Sequence, residues 1–161
     1  VYLSIAEWDQ IIMSADSIIW IVACIIFLIW IYMVHVDLKK VNPDYPITPL
    51  GSFARILIPF YNIYGFWHVF STMSSYFKEH NKTIDLGKKL AFMIPCYYIM
   101  IFSSQALHRI LGNGLIVSDN MIMLSSISDF MLGVVCFFMA RYILKAIPII
   151  EPEPTEEQIP S

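Results

Sequence analysis

One carboxylate stands alone inside an apolar block towards the end of the sequence. Asp129 is the only formally charged residue between Asn120 and Arg141. An ionised carboxylate inside a membrane helix is costly unless it is paired or faces water. Asp129 therefore indicates either a proton or cation pathway, or a structural contact that clamps two helices or receives a basic residue from a partner.

Polar side chains able to pair with Asp129 occur in the apolar block before it. If residues 86–111 and 120–147 fold as an antiparallel hairpin about residue 115, Gln105 faces Ser125, one turn from Asp129. Side-chain hydrogen bonds between apolar helices can hold such a pair together. The spacing predicts a buried polar cluster or partner contact made of Ser104, Gln105, Ser125 and Asp129.

Three histidines lie in or beside apolar blocks, where a neutral imidazole can ligate haem iron, a chlorophyll-type magnesium or zinc. His35 and His68 are expected towards one face of the membrane and His108 towards the other. A haem or pigment held by two histidines would therefore use His35 and His68. The structural alternative is that these are hydrogen-bonded interfacial histidines, and no third ligand for zinc is apparent.

The sequence carries no familiar catalytic pattern beside these residues. GxSxG, HExxH, the P-loop and GxGxxG are all absent from it, as is a pair of carboxylates at a workable spacing. Basic residues form no patch of the kind that binds nucleic acid. We therefore expect a protein that is not an enzyme and has no nucleic-acid partner.

The composition points to a membrane as the solvent for most of the chain. Of the 161 residues, 58% are hydrophobic and 14% charged, and the mean hydropathy is +0.65. Hydrophobic residues also come in blocks of about 20 or more, the length that a helix needs to cross the hydrocarbon core. A soluble domain of ordinary composition is excluded.

The blocks predict an all-α membrane domain over residues 1–147. Its helices are expected at about 16–37, 49–77, 86–111 and 120–147, with Asp16 and Ser17 starting the first, and Thr48 and Pro49 capping the second. Residues 148–161 contain four prolines and four glutamates, so we expect an acidic, disordered tail there.

The second block differs from the others because it is amphipathic. Its polar groups recur at steps of three and four, which places them on one helix face. They are Tyr61, Tyr64, His68, Thr72 and Ser75, opposite an apolar stripe of Ile63, Phe66, Phe70, Met73 and Phe77. Aromatic side chains favour the headgroup zone. We therefore expect an interfacial aromatic stripe formed by Tyr61, Tyr64, Trp67 and His68.

The distribution of basic residues predicts how the blocks cross the membrane. If all four cross, the ten Lys and Arg divide four against six between the two sides. If residues 50–77 enter and leave by one face, or lie along it, the division is nine against one, with Arg109 alone. The positive-inside rule favours the second arrangement. We predict three full crossings plus one re-entrant or interfacial helix, with the N-terminus outside and the tail cytoplasmic; four full crossings are the alternative.

Two stretches carry residues that point to a known family. The end of the first helix, WIYMVHVDLKK, contributes Trp30, Tyr32, His35 and Leu38. The second block contributes Pro49 and the run Ile58-Pro59-Phe60-x-Asn62-x-Tyr64. On these residues the chain resembles a bacterial membrane-protein family known as domain of unknown function 4328, over about residues 20–77, and beyond them by hydropathy alone. The resemblance implies an architecture and no particular activity.

Together these features predict a non-catalytic protein of the bacterial inner membrane. We expect an accessory or scaffolding subunit that packs against a larger membrane complex or forms its own oligomer within the lipid bilayer. One alternative is a small oligomeric transporter or channel with Asp129 as its ionisable site. A second is a subunit that binds haem or a chlorophyll-type pigment through His35 and His68.

Overall fold

The computed structural model describes residues 2–58, 62–112 and 119–150, and within these ranges it contains helices and connections but no strands. The helices are α1 (Tyr2–Val41), α2 (Pro49–Leu57), α3 (Asn62–Glu79), α4 (Ile84–Gly112) and α5 (Asp119–Ile150). Tyr61 and most of the acidic tail lie outside the described residues.

Three of these helices are long and apolar enough to cross a membrane. The candidate spans are Ser17–Val41 within α1, Ile84–Gly112, and Asn120–Ile150 within α5. Each exceeds the roughly 20 residues that the hydrocarbon core requires. The predicted all-α fold, with three membrane-length helices and a fourth segment of different character, is confirmed.

The fourth segment is two helices rather than the single helix expected over 49–77. α2 has 9 residues and α3 has 18, and neither is among the candidate spans. α2 ends at Leu57, and its C-cap residue, Ile58, has an extended backbone at φ −71° and ψ 118°. The residue before a proline is disfavoured in the helical conformation, and Pro59 follows Ile58.

Two other helix ends differ from the sequence prediction. α1 begins at Tyr2 and not near residue 16, so Asp16 and Ser17 lie inside it. No proline or glycine interrupts residues 2–15, so nothing in the sequence stops the helix there. α5 continues through Pro148 to Ile150, three residues beyond the expected end at 147.

The chain divides into two compact units, Val1–Gly65 and Phe66–Ser161, where the sequence suggested one domain over 1–147. In the first unit α1 packs on α2, and in the second α4 packs on α5. Each unit thus has its own helix packing.

The first unit has a small core at the C-terminal end of α1. Its buried apolar side chains are Ile31, Val34, Leu38, Tyr45, Ile47 and Ile56. The connection from α1 to α2 is held by an Asn42 side chain that accepts from the backbone N–H of Asp44 at 2.9 Å. The expected cap on α2 is confirmed, because the Thr48 hydroxyl accepts from the N–H of Gly51 at 3.1 Å.

Gly65, in the first turn of α3, lies against the backbone of Arg55 near the end of α2. A Cβ at this position would overlap the Arg55 carbonyl group. Only a residue without a side chain allows the two backbones to approach so closely. Gly65 therefore sets how α3 begins.

The second unit buries one face of α3 together with parts of α4 and α5. The predicted apolar stripe is observed at Phe66, Phe70, Met73 and Phe77, whereas Ile63 is 60% exposed. α3 and α4 meet closely where the Ser74 hydroxyl donates to the Gly87 carbonyl at 2.8 Å. A Cβ on Gly87 would lie 2.8 Å from the carbonyl oxygen of Ser74 and 2.9 Å from the backbone nitrogen of Lys78.

Gly87→Ala is expected to destabilise the protein by about 1–3 kcal/mol, because the added methyl group overpacks a contact between two backbones. Gly133→Ala is the matched control, since no atom lies within 4 Å of its added Cβ. We expect that change to be neutral or stabilising by up to about 1 kcal/mol, through helix propensity. Thermal unfolding in detergent micelles measures both, and equal midpoints for the two variants would contradict the close contact.

Candidate functional site

A polar cluster joins α4 and α5 within two of the candidate membrane spans. The Ser104 hydroxyl donates to Oδ1 of Asp129 at 2.5 Å. Nε2 of His108 lies 3.0 Å from Oδ2 of the same carboxylate. Because an ionised carboxylate can only accept, the imidazole donates this second bond. We call Ser104, His108 and Asp129 the α4–α5 cluster.

Helical spacing explains why these three residues meet. Ser104 and His108 are four residues apart on α4, so their side chains lie about one turn apart on the same face of the helix. α5 follows after the short connection 113–118, and Asp129 reaches both side chains from the facing helix. Each carboxylate oxygen of Asp129 therefore has its own donor on α4.

The cluster is partly buried and partly open to its surroundings. Ser104 is buried, with 7% of its surface exposed. The side chains of His108 and Asp129 are 59% and 44% exposed. Ser104 and His108 thus hydrogen-bond to the carboxylate from α4, while the His108–Asp129 pair presents polar atoms outwards. Large apolar side chains are exposed near the pair, among them Phe102, Ile122 and Phe130.

The structure brings together two of the four residues predicted for this cluster. Ser104 and Asp129 meet, but Gln105 is exposed on α4 and Ser125 is buried on α5, and in the described part of the chain neither bonds to Asp129. The reason is the register of the helix pair. Asp129 faces Ser104 and His108, about one turn from the pairing that a hairpin centred on residue 115 would give.

His108 is the member of the cluster that the sequence reasoning missed. The sequence places His108 among three histidines that could ligate a cofactor, towards the opposite face from His35 and His68, and not as a partner for Asp129. A signal was present in the sequence, because His108 lies one turn after Ser104 on the same face of α4.

His35, the first predicted cofactor ligand, lies in the core of the first unit. Its ring is fully buried and sits 5.8 Å from the ring of Tyr45, between centroids. Nδ1 lies 2.8 Å from the Ile31 carbonyl oxygen one turn earlier in α1, and so must carry the hydrogen of this bond. His35 is thus held in one orientation by its own helix.

His68, the second predicted ligand, is half-buried on α3 and belongs to the second compact unit. The structure therefore places the two histidines in separate units, and a cofactor site shared between them stays a prediction from the sequence. Among the residues that the structure describes, no group of three or more His, Cys, Asp or Glu side chains is arranged to hold a metal ion.

The aromatic stripe continues into a ring cluster between α3 and α4. Tyr64 and Trp67 are 57% and 46% exposed, as a face turned away from the core requires. Trp67 contacts Tyr98 of α4 at 5.6 Å between ring centroids. Beside it, Phe66 stacks on Tyr97 at 4.2 Å with the planes only 12° apart. Aromatic pairs of this kind favour a specific geometry, so they fix how α3 lies on α4.

In comparisons with known proteins, no family model, no curated protein and no solved structure matches the chain. The resemblance to domain of unknown function 4328 accordingly stays a prediction from the sequence.

Ser104→Ala is expected to destabilise the α4–α5 pair by about 1–3 kcal/mol, the usual effect of losing a hydrogen bond to a charged group. Ser103→Ala is the control, because Ser103 is exposed on the preceding position of the same helix. Both substitutions change helix propensity equally, so their difference isolates the bond to Asp129. Unfolding in mixed micelles measures the difference, and identical stability of the two variants would contradict a contribution from this bond.

Proposed function

We propose that this chain is a non-catalytic subunit of a membrane assembly, in which its helices pack against a larger complex or against further copies of itself. The observation that carries the proposal is the exposed pair of His108 and Asp129 on two membrane-length helices. Hydrocarbon cannot hydrogen-bond to these side chains, so exposing them to lipid is costly. A neighbouring protein segment with polar groups of its own removes that cost.

Exposed apolar side chains alone do not support the proposal. Ile18, Ile19 and Trp20 of α1 are each more than 60% exposed, and Phe130 of α5 is 67% exposed. Lipid tails and apolar protein surfaces cover such residues equally well. The polar pair is therefore the feature that favours a protein neighbour over lipid.

Asp129→Asn removes the charge of the pair while keeping its size, and we expect it to lower the yield of the intact assembly by about tenfold or more. Removing one partner of a hydrogen-bonded charge pair at an interface costs about 2–5 kcal/mol. Native mass spectrometry after mild extraction from the source membrane measures the yield. Asp85→Asn is the control, because Asp85 is an exposed acid at the start of α4 outside the cluster.

A second candidate function uses the same residues for proton or cation transport. It is favoured by the direct contact of an imidazole with a carboxylate at 3.0 Å, across which a proton can move. Ion flux into liposomes that contain the purified protein separates the two functions. If Asp129→Asn loses ion flux but keeps an intact assembly, the result supports transport. If the variant loses the assembly, the result supports the role as a non-catalytic subunit. An unchanged assembly and unchanged flux contradict both.

We further propose that the protein lies in the bacterial inner membrane with its N-terminus outside and its acidic tail cytoplasmic. With three crossings, nine of the ten Lys and Arg fall on the cytoplasmic side and Arg109 falls on the other. Such an asymmetry is what the positive-inside rule describes.

Single cysteines test this orientation after the native Cys24, Cys96 and Cys136 are replaced by alanine. We expect Lys40→Cys and Lys82→Cys to react with a membrane-impermeant maleimide only in inside-out vesicles, and Arg109→Cys only in intact cells. Labelling of the two lysine positions from opposite sides would show that the intervening segment crosses, and would contradict the arrangement.

A further inference from the structure

Most basic residues of the second unit lie at one end of its helices. α5 packs back along α4, with Asp129 against Ser104 and His108, so the start of α4 lies beside the end of α5. α3 ends at the same place, since the Ser74 hydroxyl donates to the carbonyl of Gly87 in the first turn of α4. We call this the basic end, after its six exposed basic residues Lys78, Lys82, Lys88, Lys89, Arg141 and Lys145.

The register of α4 and α5 places Lys89 and Lys145 at about the same level. Lys89 is 15 residues before Ser104, and Lys145 is 16 residues after Asp129, to which Ser104 donates. At about 1.5 Å per residue, both lysines lie roughly 23 Å from the α4–α5 cluster in the same direction. Arg141 lies one turn before Lys145 on α5. The two helices therefore bring their basic residues to a common surface of the unit.

The charge of the basic end is only partly neutralised by neighbouring acids. Among the described residues its acidic side chains are Glu79 and Asp85, so six basic and two acidic groups leave a formal charge of +4. None of the six basic side chains forms an ion pair within that part of the chain. Like charges one turn apart on a helix, such as Arg141 and Lys145, repel each other. An anion bound at this end would relieve the repulsion.

Exposed aromatic rings lie one turn deeper in the spans than these charges. Phe92 follows Lys88 by four residues on α4 and is 66% exposed. Phe137 precedes Arg141 by four residues on α5 and is 59% exposed. Residues four apart share a helix face. Each helix thus presents a positive charge and, next to it, an apolar ring.

The length of α4 places the basic end at the membrane surface. Lys89 and Arg109 bound the part of α4 that carries no formal charge, and the helix rises about 30 Å between them. The hydrocarbon core of a bilayer is about 30 Å thick. Lys89 therefore reaches the headgroup zone, while residues that follow it, such as Phe92, lie at the depth of the acyl chains.

We propose that the basic end of the second unit binds the headgroups of anionic phospholipids. Its ammonium and guanidinium groups donate to the phosphate oxygens, and acyl chains of the same lipids cover Phe92 and Phe137. A soluble acidic protein would neutralise the charges but would not cover rings at the depth of the hydrocarbon. Zwitterionic lipids carry a positive charge of their own beside the phosphate and bind more weakly. The binding is the same whichever leaflet this end faces.

Lipid binding to the full chain in a non-ionic detergent tests the proposal. Phosphatidylglycerol or phosphatidylcholine with identical acyl chains is added, and native mass spectrometry measures the fraction of protein that retains each lipid. The ratio of the two apparent affinities is the preference for the anionic lipid. We expect a preference of about tenfold or more at low ionic strength, since several basic residues contribute, and a smaller one at high ionic strength.

Lys145→Gln should lower this preference about fivefold, the usual contribution of one basic residue near an anionic surface. Arg109→Gln is the matched control, because it removes the same charge from an exposed position at the opposite end of α4, and we expect it to leave the preference unchanged. Lys145→Arg keeps the charge and should keep the preference. If Lys145→Gln does not fold, Lys82→Gln replaces it, since Lys82 is exposed in the connection between α3 and α4.

Three results would overturn the proposal. The first is equal affinity of the wild type for the two lipids. The second is an equal loss of preference in Lys145→Gln and Arg109→Gln, which would show that net charge alone determines binding. The third concerns the tail, whose carboxylates could occupy the basic end instead. If the wild type shows no preference and replacement of the tail glutamates by glutamine creates one, the occupant is the tail; the residues replaced are Glu151, Glu153, Glu156 and Glu157.

Discussion

A carboxylate placed among apolar side chains must be given hydrogen-bond donors, and Asp129 imposes this requirement on the α4–α5 pair. The buried apolar residues of these helices, such as Leu90 and Ile143, have no directional preference and tolerate sliding by a turn. The bonds from Ser104 and His108 do not tolerate it, because both would be lost at once. Single polar residues set the register of coiled coils in the same way. We therefore interpret the cluster as the contact that determines which residues of α4 face which residues of α5.

Two glycines impose a constraint of a different kind on α3. Gly65 lies against the Arg55 backbone in the first unit, and Gly87 lies against the backbone of α3 in the second. Close backbone approach increases van der Waals contact, which drives helix association where the hydrophobic effect is weak. A hydrogen bond from Ser74 to Gly87 and the stacked rings of Phe66 and Tyr97 reinforce the second contact. The position of α3 on α4 is thus fixed by steric fit and by directional contacts together.

The parts of this structure that depend on local sequence were predictable, and those that depend on register were not. Block length and hydropathy predicted three membrane-length helices, and Thr48 with Pro49 predicted the start of α2. The break after Leu57 was not predicted, because the amphipathic pattern continues across Pro59 and predicts one helix over 49–77. The contact of His108 with Asp129 was not predicted, because the hydrophobic pattern alone does not specify the register in which α4 pairs with α5.

The chemistry of the α4–α5 cluster also restricts what can cover it. A carboxylate has about four acceptor positions, and Ser104 and His108 occupy one on each oxygen of Asp129. The outward side of the carboxylate consequently offers acceptors, and the His108 ring has one further nitrogen. A segment that presents Arg, Lys, Asn or backbone donors would complete these bonds, whereas a carboxylate would add repulsion at low dielectric. A neighbour that covers this pair within the membrane must therefore bring donors, and an apolar helix of the right shape would leave the cost of exposing Asp129 unrelieved.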